Sequence, residues 1–216
     1  MFCGHDLGWT KSRFTGLMKY MNKEYFFGKT LLELGAGHGH NGNEMSKLGA
    51  IVTSSDALLD HLDNLNNLYP HIKTKIIDAD NDKIEEKYDI ILHWGLLYHL
   101  GEIESHLKNV SENCNLLLLE TEVSDSDDNL FYISTDESGY DQAFNKKGIR
   151  PSPNYVEKIL KNNGFNFFMV KDGILNSDFH IYDWEINDSK KYNTWKAFRR
   201  FWIRWKGIES PINTHL

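Results

Sequence analysis

The residues with the most evident chemistry lie in one stretch, Glu33-Leu34-Gly35-Ala36-Gly37-His38-Gly39-His40. An apolar run of strand character carries an acidic residue, three glycines follow at alternate positions, and a helical pattern begins near Asn41. A chain that turns at once from strand into helix needs glycine where φ is positive or where a ligand approaches the backbone. The helix that follows presents free N–H groups and the positive end of its dipole to that ligand. The stretch therefore predicts the ligand turn of a βαβ unit, beyond a plain glycine-rich turn. Asp56 stands about 20 residues past the first glycine, where the next strand ends, and is placed to accept from both hydroxyls of a vicinal diol. It could also cap the helix that opens at Ala57-Leu58-Leu59. Further on, His93-Trp94-Gly95-Leu96-Leu97-Tyr98-His99 brings two imidazoles to the end of a buried strand pattern. Imidazoles exchange protons near neutral pH.

The spacing is G-x-G-x-G, not the G-x-G-x-x-G of dinucleotide binders. With Glu33 two positions ahead of Gly35, it resembles motif I of the class I S-adenosylmethionine (SAM)-dependent methyltransferases, (E/D)-x-G-x-G-x-G. Glu33, Gly35, Gly37 and Gly39 match that pattern at every position. Gly95 to Leu100 resembles the "G-(V/L)-L-(H/Y)-H-L" segment that follows the fourth strand of the small-molecule enzymes, with His93 where many relatives carry Asp, Asn or Ser. The resemblance spans roughly residues 29–186. It implies an α/β fold, a Rossmann-like three-layer sandwich around a mostly parallel seven-stranded sheet with an antiparallel last strand. It implies SAM as cofactor, held by Glu33, Gly35, Ala36, Gly37, Gly39, Asp56, Ala57 and His93. The acidic turn after the third strand would face the adenine through Asp78 and Ala79, with Asp80 as the alternative.

A hydroxyl acceptor needs a base as the new bond forms. His93 and His99 are the candidates; His38 and His40 are less well placed. His99 reads equally well as a core histidine fixed by a carbonyl. Trp94 or Tyr98 would line the sulfonium, where an aromatic face favours a cation. Arg150 and Arg13 are candidate clamps for an acidic acceptor or the cofactor carboxylate. No compact cluster of metal ligands is evident, so no metal is expected.

The remaining pattern supplies the elements that position these groups. Residues 1–28 carry Trp9, Phe14, Leu17, Met18 and Met21 at helical spacing and predict a leading helix, packed on the sheet or lidding the site with His5, Asp6, Trp9 and Arg13. Strands are expected at 30–34, 51–55, 72–77, 88–92 and 115–120. The acidic, then aromatic segment 121–150 reads as an ordered acceptor-side loop. Ser152 and Pro153 mark a helix start, as N-cap and first helical residue. Strands six and seven are placed at 165–170 and 179–186. The tail 190–216 is expected to form an aromatic and basic helix. Trp195, Phe198, Trp202 and Trp205 recur at helical spacing among Lys196, Arg199, Arg200, Arg204 and Lys206. Such a helix would dock on the core, or contact a membrane surface or an anionic acceptor.

The 216 residues suit one domain. Hydrophobic residues make up 40% of the chain, enough for a real core. The net charge of −7 argues against a nucleic-acid partner. Cys3 and Cys114 stand far apart, in keeping with a reducing compartment. With neither a signal-peptide pattern nor a membrane-length apolar run, the chain reads as cytoplasmic. The function expected is methyl transfer from SAM to a small molecule, a sugar or glycan-precursor hydroxyl among the candidates. The rivals are a lipid-linked or macromolecular acceptor, a non-catalytic SAM-binding relative, and aminopropyl transfer on the same fold.

Overall fold

The structure is a computed structural model and describes residues 3–139 and 143–213. The side chains of residues 3–7, His5 and Asp6 among them, lie outside the described residues. In chain order the elements are α1 (Cys3–Tyr20), β1 (Thr30–Leu34), α2 (His40–Lys47), β2 (Ile51–Asp56), α3 (Leu59–Leu68), β3 (Lys73–Ile76) and β4 (Tyr88–Trp94). Then follow α4 (Ile103–Asn113), β5 (Cys114–Glu122), β6 (Tyr132–Asp136), β7 (Lys147–Pro151), α5 (Pro153–Asn162), β8 (Asn166–Val170), β9 (His180–Ile181) and β10 (Ala197–Trp205).

The main sheet runs β3-β2-β1-β4-β5-β10-β8, with the short β9 beside β10. Strands β1 to β5 pair in parallel, whereas β10 is antiparallel to both β5 and β8. This is the mostly parallel sheet with an antiparallel last strand that the motifs implied. The apolar runs Leu31-Leu32 in β1, Ile90-Ile91-Leu92 in β4 and Leu116-Leu117-Leu118-Leu119 in β5 are buried on both faces, as central parallel strands require. Alternate residues feed two cores. Leu32, Ile91, Leu117 and Leu119 pack with α4 and α5 through Leu107, Val110, Val156 and Leu160. Leu31, Ile90, Leu92, Leu116 and Leu118 pack with Leu17, Met45 and Leu65 from α1, α2 and α3. Ser152 caps α5 as its position suggested, its hydroxyl accepting from the Tyr155 N–H at 3.0 Å, with Pro153 as the first helical residue.

The tail departs from expectation. The segment 195–208 forms no helix: Ala197–Trp205 is the strand β10, inserted between β5 and β8. The aromatic spacing that reads as a helical face also fits a strand buried on both sides. Phe198 and Trp202 join the core under α5, while Phe201, Ile203 and Trp205 join the opposite one. Nothing in the local pattern separates these readings; open edges on β5 and β8 decide for the strand. Arg199, Arg200 and Arg204 are buried, so the basic face proposed for a membrane or anionic surface does not form. Strand seven is accordingly β10 rather than 179–186, where only the two-residue β9 is found. The segment 121–150 contains the antiparallel hairpin of β6 and β7. No described helix is long and apolar enough to cross a membrane.

Candidate active site

A cleft of about 530 Å³ opens at the C-terminal ends of β1, β2 and β4. Here the strand order reverses direction, the place where open α/β sheets bind ligands. Its floor is the turn after β1. Gly35, Gly37 and Gly39 have φ of +64°, +52° and +76°, left-handed values that other residues adopt at a cost. A Cβ on Gly37 would meet nothing within 4 Å. The open space in the turn is over Gly37, since a Cβ on Gly35 would meet Leu96 at 2.9 Å and one on Gly39 would meet Leu65 at 2.5 Å.

Asp56 ends β2 and lines the cleft. One carboxylate oxygen accepts from the Gly37 N–H and the other from the Leu58 N–H, both at 2.9 Å. His61 stands 3.2 Å from the second oxygen. Burial works against the charge, but the His61 and backbone bonds prevail and hold the carboxyl below its ordinary range. Asp56 thus ties the glycine turn to the loop before α3, whose N-cap is Leu58 rather than Asp56. Glu33 stands behind the turn instead of lining the cleft. It accepts from the Gly42 N–H at 3.1 Å and the Ser54 hydroxyl at 2.6 Å, so it braces α2 against β2. Ala36, Ala57, Asp78, Ala79 and Asp80 all border the cleft. Asp78 folds its carboxylate onto its own loop, accepting from the Asp80 N–H and the Asn81 amide. Asp80 accepts from the Gly101 N–H at 2.9 Å and from the Asn145 amide at 3.0 Å.

The two histidines after β4 part company. His93 does not line the cleft, contrary to its expected roles in cofactor binding and proton transfer. Residues alternate faces along a strand. Leu92 and Trp94 point toward α1, which leaves His93 toward α4. Its Nε2 lies 2.8 Å from Nε2 of His106, whose Nδ1 faces the Ala79 carbonyl at 2.9 Å. A carbonyl only accepts, so His106 carries its proton on Nδ1 and accepts from the His93 Nε2–H. Burial drives both imidazoles toward neutrality, His93 well below its ordinary value and His106 to about 4. His99 sits beyond the strand, on the turn 97–99, and borders the cleft together with Trp94 and Tyr98.

His99 does not stand alone. Its Nδ1 meets a carboxylate oxygen of Glu137, delivered by the β6–β7 hairpin. Glu137 in turn pairs with Arg150 at 2.7 Å, and Arg150 with Glu122 at 2.5 Å. Glu122 pairs with Arg199 at 3.0 Å, and Arg199 with Glu120 at 2.9 Å. Glu120 closes the series on Arg13 of α1 and accepts from the Tyr182 hydroxyl at 2.9 Å. Burial alone would raise the carboxyls of Glu120 and Glu137. Arg13 and Arg199 hold the first below its ordinary range, and His99 and Arg150 hold the second there. Arg199, although buried, is driven well above its ordinary value by the carboxylates around it. Arg150 also donates to the Tyr98 carbonyl at 3.1 Å.

Sequence reasoning found Arg13 and Arg150 but missed Glu120, Glu122, Glu137 and Arg199. One signal was available at Gly148, two residues before Arg150. A Cβ there would collide with the Tyr98 carbonyl, so the glycine lets β7 lie against the His99 turn. From α1, Trp9, Thr10 and Arg13 border the cleft, and the Thr10 hydroxyl donates to Asn41 at 3.0 Å. Among the described residues, no group of three His, Cys, Asp or Glu is arranged to hold a metal.

The strand order, the left-handed glycine turn and the aspartate beside it match the fold of the class I SAM-dependent methyltransferases. The family model of the tellurite resistance protein TehB matches residues 22–125. Among solved structures, the N-terminal domain of EvdMO1 superposes with a TM-score of 0.65 at 14% identity, covering 92% of this chain and 81% of that one. A SAM-dependent methyltransferase from Mesorhizobium loti gives 0.61 at 12% identity, covering 84% and 92%. TehB from Haemophilus influenzae gives 0.54 at 20% identity, covering 83% and 58%. At these identities the likeness is one of fold. No curated protein sequence matches the chain.

Proposed function

We propose that the chain methylates a hydroxyl of a small-molecule acceptor, a sugar or glycan precursor, with His99 as the base. The observation that carries this reading is the His99–Glu137 pair on the cleft wall. Glu137 is ionised, and an ionised carboxylate only accepts. It therefore holds the proton of His99 on Nδ1 and leaves the Nε2 lone pair free to take a hydroxyl proton. Arg150 fixes Glu137 from the other side.

The glycine turn fits the nucleoside end of SAM, with Asp56 on the ribose diol and the 78–80 turn beside the base. When bound, SAM supplies a methyl group already activated on a positively charged sulfur. Trp94 and Tyr98 offer aromatic surface toward that charge. Arg13 stands beside the end of β4, where a Cβ on Gly95 would come within 3.2 Å of it, with its charge already matched by Glu120. The remaining task of the protein is to orient the two reactants and keep water out. EvdMO1 is a parallel from outside this chain: its N-terminal domain was crystallised in the presence of SAH and D-fucose. That pairing suits a hydroxylated small molecule as acceptor.

The test is calorimetric titration with SAM and SAH, followed by transfer of labelled methyl to hydroxylated small molecules. His99→Asn and Glu137→Gln should bind SAH like the wild type yet transfer methyl about 10²-fold more slowly. Undiminished transfer by His99→Asn would remove His99 from the chemistry.

A further inference from the structure

The acceptor end of the cleft is crowded with charge, yet each charge there is already matched. Arg13 pairs with Glu120, Arg199 with Glu120 and Glu122, and Arg150 with Glu122 and Glu137. Three guanidiniums alternate with three carboxylates. Among the described residues, five carboxylates (Asp56, Asp78, Asp80, Glu122 and Glu137) and two guanidiniums, Arg13 and Arg150, line the cleft, and no lysine does.

We infer that the acceptor is an uncharged hydroxyl compound, a free sugar or glycoside, and that its phosphate, nucleotide-linked or carboxylate forms are rejected. This rests on the reading of the cleft as a hydroxyl-methylating site. An anion received by Arg150 or Arg13 competes with the carboxylates that each already holds. Releasing Arg150 leaves Glu137, whose side chain is 2% exposed, with His99 alone to balance its charge. Removing one member of a buried pair leaves an uncompensated charge, the costly outcome. An incoming anion would also enter a field set by the three aspartates of the cofactor end.

A neutral hydroxyl meets none of these obstacles. Carboxylates and guanidiniums that are paired in their own plane keep lone pairs and N–H groups for further hydrogen bonds. Glu122 and Arg150 present such edges, and Trp9, Tyr98 and Phe144 supply apolar faces for the ring C–H groups of a sugar. The methylation then belongs before a phosphoryl or nucleotidyl group is attached, or after one has been removed. Inorganic oxyanions meet the same barrier as organic ones.

The experiment compares methyl transfer to methyl glycosides with transfer to the matching sugar 6-phosphates, uronates and nucleotide-linked sugars, with sodium tellurite as the inorganic oxyanion. It uses the full chain, with SAH binding measured alongside. Neutral acceptors should exceed their charged counterparts in kcat/KM by at least about tenfold. Glu122→Gln leaves Arg150 and Arg199 with excess positive charge, and should narrow that preference by about tenfold. Added salt should narrow it in the wild type too, a readout that stands if the variant does not fold. Equal or faster transfer to any charged member overturns the inference. So does intact SAH binding with transfer to no neutral member. Failure to bind SAH at all would instead overturn the underlying reading of the cleft, and the inference with it.

Discussion

Replacing Glu33 with glutamine tests how the glycine turn is held. The carboxyl is 2% exposed and accepts hydrogen bonds from Gly42, Ser54 and Asn41. Burial outweighs those bonds, and the neighbouring Asp56 charge adds to it, so the carboxyl is raised from 4.5 to about 7. Between these values the folded chain keeps a proton that the unfolded chain has lost. Stability is therefore full below the lower value, falls as pH rises through the window, and levels off above about 7. The interval corresponds to about 3 kcal/mol. Glutamine has the same shape, can accept from Gly42 through Oε1 and can donate to the Ser54 oxygen, and it carries no charge. Glu33→Gln should therefore match the wild type near pH 4.5 and exceed it near pH 8 by up to about 3 kcal/mol. Urea unfolding at a series of pH values reads both the gain and the slope. A variant less stable than the wild type at the alkaline end, or one that keeps the wild-type slope, would refute the account of Glu33 as a buried, bracing carboxyl.

Gly42→Ala attacks the same bracing from the other side. A Cβ there would run into the Glu33 carboxylate and stand 2.6 Å from the Ser54 hydroxyl, so the helix must shift. A loss of about 1–3 kcal/mol is expected in urea unfolding, with weaker SAH binding by calorimetry. Arg204 is a liability of the fold. Its guanidinium is buried without a described hydrogen-bond partner, 4.5 Å from the Phe167 ring centroid, and burial takes it down to about 9. Arg204→Met keeps the length and removes the charge, and should stabilise the protein by about 1–4 kcal/mol, seen as a raised Tm.

Much of the cofactor side was legible because its determinants are local. Three glycines at alternate positions can make few things other than a left-handed turn, and the distance to Asp56 is set by one helix and one strand. The acceptor side was legible only at its ends. Tyr98, His99 and Arg150 stood out as chemical types, but Glu137 lies 38 residues from the histidine it orients. Arg199 lies 79 residues from Glu120. Such partners are chosen by which strands become neighbours. The aromatic tail was misjudged for a related reason. Its periodicity satisfied a helix and a doubly buried strand alike, and only the vacancy between β5 and β8 favours the strand.

The sequence by itself determined the glycine turn, the carboxylate beside it, the cap of α5 and the βα alternation, since each depends on residues a few positions apart and on their own backbone preferences. The tertiary structure decided that His93 turns inward while His99 faces the cleft, and that three arginines and three glutamates form one compensated series. Side-chain direction on a strand changes with a single step of parity. The partner of a buried charge is whatever packing brings within reach. Both follow from the assembled sheet, and neither is written in the neighbouring residues.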